Sequence, residues 1–257
     1  EKNGIELIKG EAVSVDRAKK EAVLKDGQKI TYDKLVFATG SLPMVPPIPG
    51  VDKKNVFPVK KDFNYLDGVL DCMKHVKDLV IIGGGFIGVE FADECRKGRD
   101  VNVTVVEALP HCLQMAMDDE FCKEAEERLT DAGITLLVDS KVERILGEDS
   151  VTGVRLEDGR ELKADMVILG IGAVPSTSLA KDAGIELGSR NSIKVDNYMR
   201  TWTDPDIFAC GDCAEKRSFF TGLPIGVMLA SIATSEARIA GANLFSPVHQ
   251  HCGAISV

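Results

Sequence analysis

The sequence predicts an α/β protein built from parallel strands and crossover helices, and three observations carry that prediction. A glycine-rich loop at residues 83–88 follows an apolar, strand-like run and opens a helical pattern. Short, wholly apolar runs alternate with amphipathic segments, as buried parallel strands alternate with helices. One plan of nineteen residues also occurs twice, at residues 25–43 and 157–175.

In chain order, residues 25–32 read as a hairpin turning at Asp26-Gly27, a dipeptide that suits tight turns with positive φ. The apolar run 35–38 follows as a strand buried on both faces, and Gly40 and Pro43 mark the turn after it. The second copy turns at Asp158-Gly159, runs through the apolar residues 166–169, and closes with Gly172 and Pro175. The pairs Asp26/Asp158, Asp33/Asp165, Gly40/Gly172 and Pro43/Pro175 are each 132 positions apart. The chain therefore holds two copies of one domain's closing half.

The second copy has its front half as well. Residues 78–82 form a strand that runs directly into the glycine loop, and Ile87, Phe91 and Cys95 then recur at helical spacing. Residues 101–106 are a second strand ending at Glu107. A helix over 118–132 starts on Asp118, Asp119 and Glu120, which suit the positive end of the helix dipole, and stops at Gly133. Residues 134–138 are the third strand. The front half of the first copy, placed by the same offset, falls before residue 1; with a first residue that is not Met, the sequence reads as a piece of a longer protein. Further on, residues 192–196 and 206–212 are short strand-like runs, residues 226–244 a helix, and residues 254–257 a last strand.

Gly83-x-Gly85-x-x-Gly88 in this strand–loop–helix frame is a dinucleotide fingerprint. Gly83 permits the tight turn, Gly85 lets backbone approach a pyrophosphate, and Gly88 allows close helix–strand packing; the helix N-terminus favours the phosphates. Glu107 stands nineteen residues after Gly88, where a carboxylate accepts hydrogen bonds from the ribose hydroxyls. The same carboxylate repels a 2′-phosphate, so NADH is expected over NADPH.

Composition narrows the partners. With 31 basic and 40 acidic residues the net charge is -9, which opposes binding to a phosphate backbone, and 5% aromatics leave little for base stacking; no nucleic-acid partner is expected. No run of eighteen apolar residues exists, so no membrane span is expected, and the polar first residues do not read as a signal peptide. Seven cysteines, odd in number and irregular in spacing, read as free thiols of a cytoplasmic protein.

Several conspicuous clusters are read as carrying no chemistry. Cys210-Gly211-Asp212-Cys213 has the spacing of a redox pair but is taken as coincidence. His249-Gln250-His251-Cys252 and His111-Cys112 have no partner pair at zinc-site spacing, so no metal is expected.

On four separate motifs the chain resembles the pyridine nucleotide-disulfide oxidoreductase superfamily, and within it the group of NADH oxidases, NADH peroxidases and coenzyme A-disulfide reductases. These motifs are Ala38-Thr39-Gly40-Ser41, Gly83-Gly84-Gly85-Phe86-Ile87-Gly88-Val89-Glu90, Gly170-Ile171-Gly172-Ala173-Val174-Pro175, and Asp204-Pro205-Asp206-Ile207-Phe208-Ala209-Cys210-Gly211-Asp212. The resemblance implies a Rossmann-like, three-layer FAD/NAD(P)-binding fold in which an NAD domain at 60–187 is inserted in a split, incomplete FAD domain at 1–59 and 188–246. Residues 247–257 would begin a truncated C-terminal dimerisation domain, and the whole protein would be a homodimer. It also implies that Gly83, Gly85, Phe86, Ile87, Gly88, Glu90, Glu107 and Gly172 serve NAD, with the aromatic at Phe86 acting as a gate over the flavin. Thr39, Gly40, Gly211 and Asp212 would serve FAD.

The expected activity is hydride transfer from NADH to FAD and on to oxygen, peroxide or a disulfide such as that of coenzyme A. The alternatives are a reductase of a small iron electron-transfer protein and, for this piece alone, a non-catalytic NAD-binding module. The family's FAD fingerprint and redox cysteine would lie before residue 1, so no catalytic residue is expected within the chain and the piece alone is expected to be inactive.

Overall fold

The computed structural model describes residues 4–255. The last two residues of the strand expected over 254–257 lie outside the described residues; Ala254 forms an isolated parallel bridge with Ser218.

The chain opens with a meander of β1 (Ala12–Asp16), β2 (Glu21–Leu24) and β3 (Lys29–Thr31), followed by β4 (Leu35–Phe37), β5 (Ser41–Pro43) and β6 (Val56–Pro58). Helix α1 (Phe63–Met73) starts where the Asp62 side chain accepts the Tyr65 N–H at 2.7 Å. Then come β7 (Asp78–Ile82), α2 (Phe86–Arg96), β8 (Asn102–Val106), α3 (Asp119–Asp131) and β9 (Ile134–Leu137). A second meander, β10 (Val142–Leu146), β11 (Gly153–Leu156) and β12 (Glu161–Lys163), leads to β13 (Met166–Leu169), β14 (Ala173–Pro175) and α4 (Ser178–Asp182). The last elements are β15 (Ile207–Ala209), the hairpin β16 (Lys216–Arg217) and β17 (Pro224–Ile225), and α5 (Ala230–Asn243).

Two compact units result. One runs to Ser41 and resumes at Val174; the other is Leu42–Ala173. In the latter, five parallel strands stand in the order β6-β13-β7-β8-β9. Alternation along each strand sorts its side chains into two layers. Leu79, Ile81, Val103, Val105, Met166 and Ile168 pack with Val69, Met73, Ala92 and Leu129 of the helices. Val80, Ile82, Val106, Val167 and Leu169 pack instead with Ile145, Val154 and Leu156 of the second meander. This three-layer unit explains why β13 is buried at every position. Each fully buried aliphatic side chain contributes about 1.5–3 kcal/mol, whereas an exposed pair such as Lys97–Asp93 contributes about 0–1 kcal/mol; the core, not the surface ion pairs, holds the sheet.

In the other unit β4 and β15 pair in parallel, Leu35 with Ile207 through Phe37 with Ala209, over a core containing Phe37, Ile193, Met199, Phe208 and Ala240. Both Asp-Gly hairpins form, with Gly27 at φ 89° and Gly159 at φ 90°.

Two sequence expectations are corrected. Residues 192–196 make isolated bridges instead of a strand, Ile193 with Ala214 and Val195 with Thr201. The Asp196 carboxylate takes the Tyr198 and Arg200 N–H groups at 2.8 and 3.0 Å, a local alternative to a ladder. The helix expected from residue 226 begins four residues later, because Pro224 and Ile225 pair with β16 and Leu229 is still extended.

Candidate functional site

The glycine loop lies just beyond the carboxyl end of β7. Gly83 has φ 105°, and a Cβ there would meet the Gly170 carbonyl oxygen at 2.8 Å. Gly88 is tighter still: a Cβ would lie 1.8 Å from the Gly83 carbonyl oxygen. Gly170 closes the stack, since its Cβ would fall 2.8 Å from the Gly88 Cα. Three glycines therefore let α2 rest directly on the ends of β7 and β13. The sequence marks Gly170 only as part of an apolar glycine motif; its contact with Gly83 and Gly88 is visible only in three dimensions.

Gly85 differs. It precedes the first residue of α2, with open space where a side chain would stand. No side chain caps the helix start and its first turn carries no acid, so the N–H groups are available to an anion. Of the neighbouring expected residues, Phe86 is exposed, Ile87 half-buried and Glu90 exposed on α2.

Glu107 follows β8, the strand beside β7. Its Oε2 accepts the Gly84 N–H and its Oε1 accepts the Leu109 N–H at 2.8 Å. Two backbone donors hold the carboxylate in place, and each oxygen keeps a second lone pair for another donor. Gly172 follows β13 on the other side of β7, with φ 103° and open space at its Cα. The loop, Glu107 and Gly172 thus stand beyond the carboxyl ends of three adjacent parallel strands, the place where such sheets take ligands.

The other unit repeats this logic with one strand pair. Residues 38–41 follow β4 and residues 210–213 follow β15, so parallel pairing brings both turns to one end. Thr39 Oγ1 donates to the Ser176 carbonyl, and the Gly40 carbonyl accepts the Ser176 N–H at 2.9 Å. Ser41 Oγ donates to Asp212 Oδ2 at 2.8 Å, linking the turns directly. Gly211, at φ 75°, donates its N–H to Glu236 Oε2 at 2.8 Å, and its carbonyl accepts from Lys216 Nζ at 2.6 Å. Glu236 and Lys216, neither foreseen from the sequence, are almost wholly buried beneath this turn.

Four of the seven thiols, Cys112, Cys122, Cys210 and Cys213, are core groups. Cys213 Sγ donates to the carbonyls of Phe37 and Cys210 at 3.4 and 3.3 Å. Burial pushes the Cys210 thiol up to about 11 and the Cys112 thiol up to about 12, so both stay protonated at neutral pH. In the native chain the exposed Cys252 is expected to react first with a thiol reagent, while Cys112, Cys122, Cys210 and Cys213 react only on unfolding. A timed thiol titration checks this; rapid modification of the buried four in folded chain would contradict it. Among the described residues no helix is long and apolar enough to cross a membrane.

Glycine turns beyond parallel strand ends, in an α/β fold containing a three-layer unit, are the architecture of FAD- and NAD(P)-binding oxidoreductases. The chain belongs to the pyridine nucleotide-disulphide oxidoreductase family, whose model matches residues 1–237. It is 35% identical to a nitrite reductase [NAD(P)H] of Bacillus subtilis over 87% of the chain and 27% of that protein. It is 32% identical to an NADH oxidase of Enterococcus faecalis over 84% of the chain and 48% of that protein. A solved NAD-dependent persulfide reductase from A. fulgidus superposes with a TM-score of 0.89 at 30% identity, covering 97% of this chain and 46% of that one. The chain thus spans about half or less of the length of these relatives.

Proposed function

We propose that this chain is the nucleotide-binding portion of a flavin-linked NAD(P)H oxidoreductase that passes hydride from NADH to FAD and electrons on to oxygen, peroxide or a disulfide. One observation carries the reading: the uncapped α2 start at Gly85 and the anchored Glu107 stand beyond adjacent parallel strand ends, joined through the Gly84 N–H, and this arrangement supports a pyrophosphate on the first and a ribose on the second. Gly83, Gly85 and Gly88 form the phosphate loop, Glu107 takes the ribose hydroxyls, and Phe86, Ile87, Glu90 and Gly172 serve the nicotinamide half. In the domain reading of 60–187 for NAD and 1–59 with 188–246 for FAD, Thr39, Gly40, Gly211 and Asp212 would hold FAD. FAD, when bound, supplies the two-electron acceptor that links NADH to the final acceptor. The residues of this chain bind and orient the nucleotides. A homodimeric whole protein in the cytoplasm belongs to the same proposal.

Calorimetric titration tests the common core. NADH is expected to bind more tightly than NADPH, and a folded chain that binds neither would refute the fingerprint reading. Glu107→Gln keeps one oxygen to accept a backbone N–H but removes the charge that opposes a 2′-phosphate. It is expected to narrow the NADH:NADPH affinity ratio by at least about tenfold. An unchanged ratio would remove Glu107 from nucleotide choice.

A further inference from the structure

The segment after Glu107 does not simply leave the nucleotide site; it returns to it. Leu113 donates its N–H to the Gly84 carbonyl at 2.8 Å, while the Gly84 N–H goes to Glu107. Both polar groups of Gly84 are thereby held by one stretch of seven residues, 107–113. The Cys112 thiol closes the contact: a Cβ on Gly84 would stand 2.7 Å from its sulfur and 3.0 Å from the Glu107 Cβ. Leu113 reaches Gly84 with φ 62°, a left-handed conformation that is unfavourable for a leucine and persists only where its surroundings enforce it.

Its own carbonyl accepts the Ala116 and Met117 N–H groups at 2.9 and 3.1 Å, and the residues just before it are held from α3. Glu126 Oε1 accepts the Cys112 N–H at 2.8 Å, and the same carboxylate lies 3.2–3.3 Å from His111 Nδ1. Both side chains are largely covered, at 18% and 22% exposure, so this contact is shielded from water more than a surface pair. Cys112 itself is fully buried. The tether therefore runs Glu126, then the 111–113 backbone, then Gly84, one residue before the uncapped start of α2.

We infer that Glu126 is a positioning residue of the nucleotide site, acting through the backbone of residues 111–113 on Gly84, and that it sets affinity for the adenosine-diphosphate half of the dinucleotide. The inference rests on reading residues 83–88 as the nucleotide loop. Glu126 touches no ligand in this scheme. It fixes the loop before the ligand arrives, so that binding does not have to order it.

Titrations of NADH and of ADP-ribose into the 257-residue chain test the scheme. Glu126→Ala is expected to weaken both ligands alike, by about tenfold, the loss expected when one hydrogen bond to a charged acceptor disappears. Glu126→Gln retains an oxygen for the Cys112 N–H and is expected to stay within about twofold of the parent chain. Amide exchange of the unaltered chain supplies a readout free of any variant: NADH is expected to slow exchange at Leu113. An unchanged affinity in Glu126→Ala overturns the inference, as does a Glu126→Gln loss equal to that of Glu126→Ala. So does a loss for NADH without one for ADP-ribose, or a Leu113 amide indifferent to NADH. Failure of the unaltered, folded chain to bind NADH at all refutes the nucleotide-loop reading instead, and the two failures are told apart by that first titration.

Discussion

Gly88→Ala is expected to abolish measurable NADH binding and to lower stability by about 2–3 kcal/mol, the upper range for forcing one methyl group into a packed contact. The added Cβ would lie 1.8 Å from the Gly83 carbonyl oxygen. The atoms it meets are backbone and a Cβ has no rotamer, so nothing local relieves the clash, and α2 must move off the end of β7. That motion carries the uncapped helix start away from the loop, and binding fails together with packing. Gly85→Ala separates the two effects. Its φ of −75° is open to any residue and nothing stands within 4 Å of its Cβ, so stability should change by less than about 1 kcal/mol. On the proposed reading of this loop, the new methyl group would nonetheless fill the space over the helix N-terminus that the phosphates need. Thermal unfolding with parallel NADH titration distinguishes the pair. A Gly88→Ala chain that melts with the parent and still binds would show that the glycine stack is not the close contact described.

The contrast between these two glycines marks what the sequence could say. The spacing Gly83-x-Gly85-x-x-Gly88 after an apolar strand located the β7–α2 turn, because Gly83 answers a demand of the turn and Gly88 one of packing. The 132-residue repeat likewise located β4 and β13 as apolar parallel strands; β13 is buried at every position, whereas in β4 only Phe37 is fully buried and Leu35 and Val36 are half-buried. Helix α1 was not foreseen: its apolar face is short and its clearest signal, Asp62 capping Tyr65, is a single residue. The support at Leu113 was less legible still. A leucine in left-handed backbone runs against its own preference, and its contact with Gly84 spans 29 positions with no repeating pattern. Glu236 and Lys216 stayed hidden for the same reason. Charged residues on short or weakly amphipathic elements read as surface, and only tertiary packing buries them.

That buried pair carries the other large effect. Glu236 on α5 and Lys216 on β16 are 0% and 3% exposed, with Nζ and Oε2 3.4 Å apart. Lys216 also donates to the Gly211 and Ala214 carbonyls at 2.6 and 3.2 Å, and Glu236 Oε2 accepts the Gly211 N–H. Glu236 Oε1 is buried without a hydrogen-bond partner among the described residues. Burial pushes the Glu236 carboxyl up; Lys216 and the Gly211 N–H oppose that rise, and Asp212 adds to it. Lys216→Met is therefore expected to cost about 3–5 kcal/mol at neutral pH, because it leaves a buried carboxylate without its counter-charge. The pH dependence has a definite sign. A carboxyl whose folded pKa is raised binds its proton more tightly in the native state, so its stabilising contribution is full below the unfolded value and is lost as pH rises through the folded one. Removing Lys216 raises the folded value further, so the variant should lose more stability at pH 8 than at pH 5. Adding Glu236→Gln removes the charge but keeps an acceptor for the Gly211 N–H, and is expected to restore most of the loss and flatten that dependence. Denaturant midpoints at the two pH values measure all three chains. A Lys216→Met chain as stable as the parent at pH 8 would mean that water reaches this pair and that the Gly211 turn is held by something else.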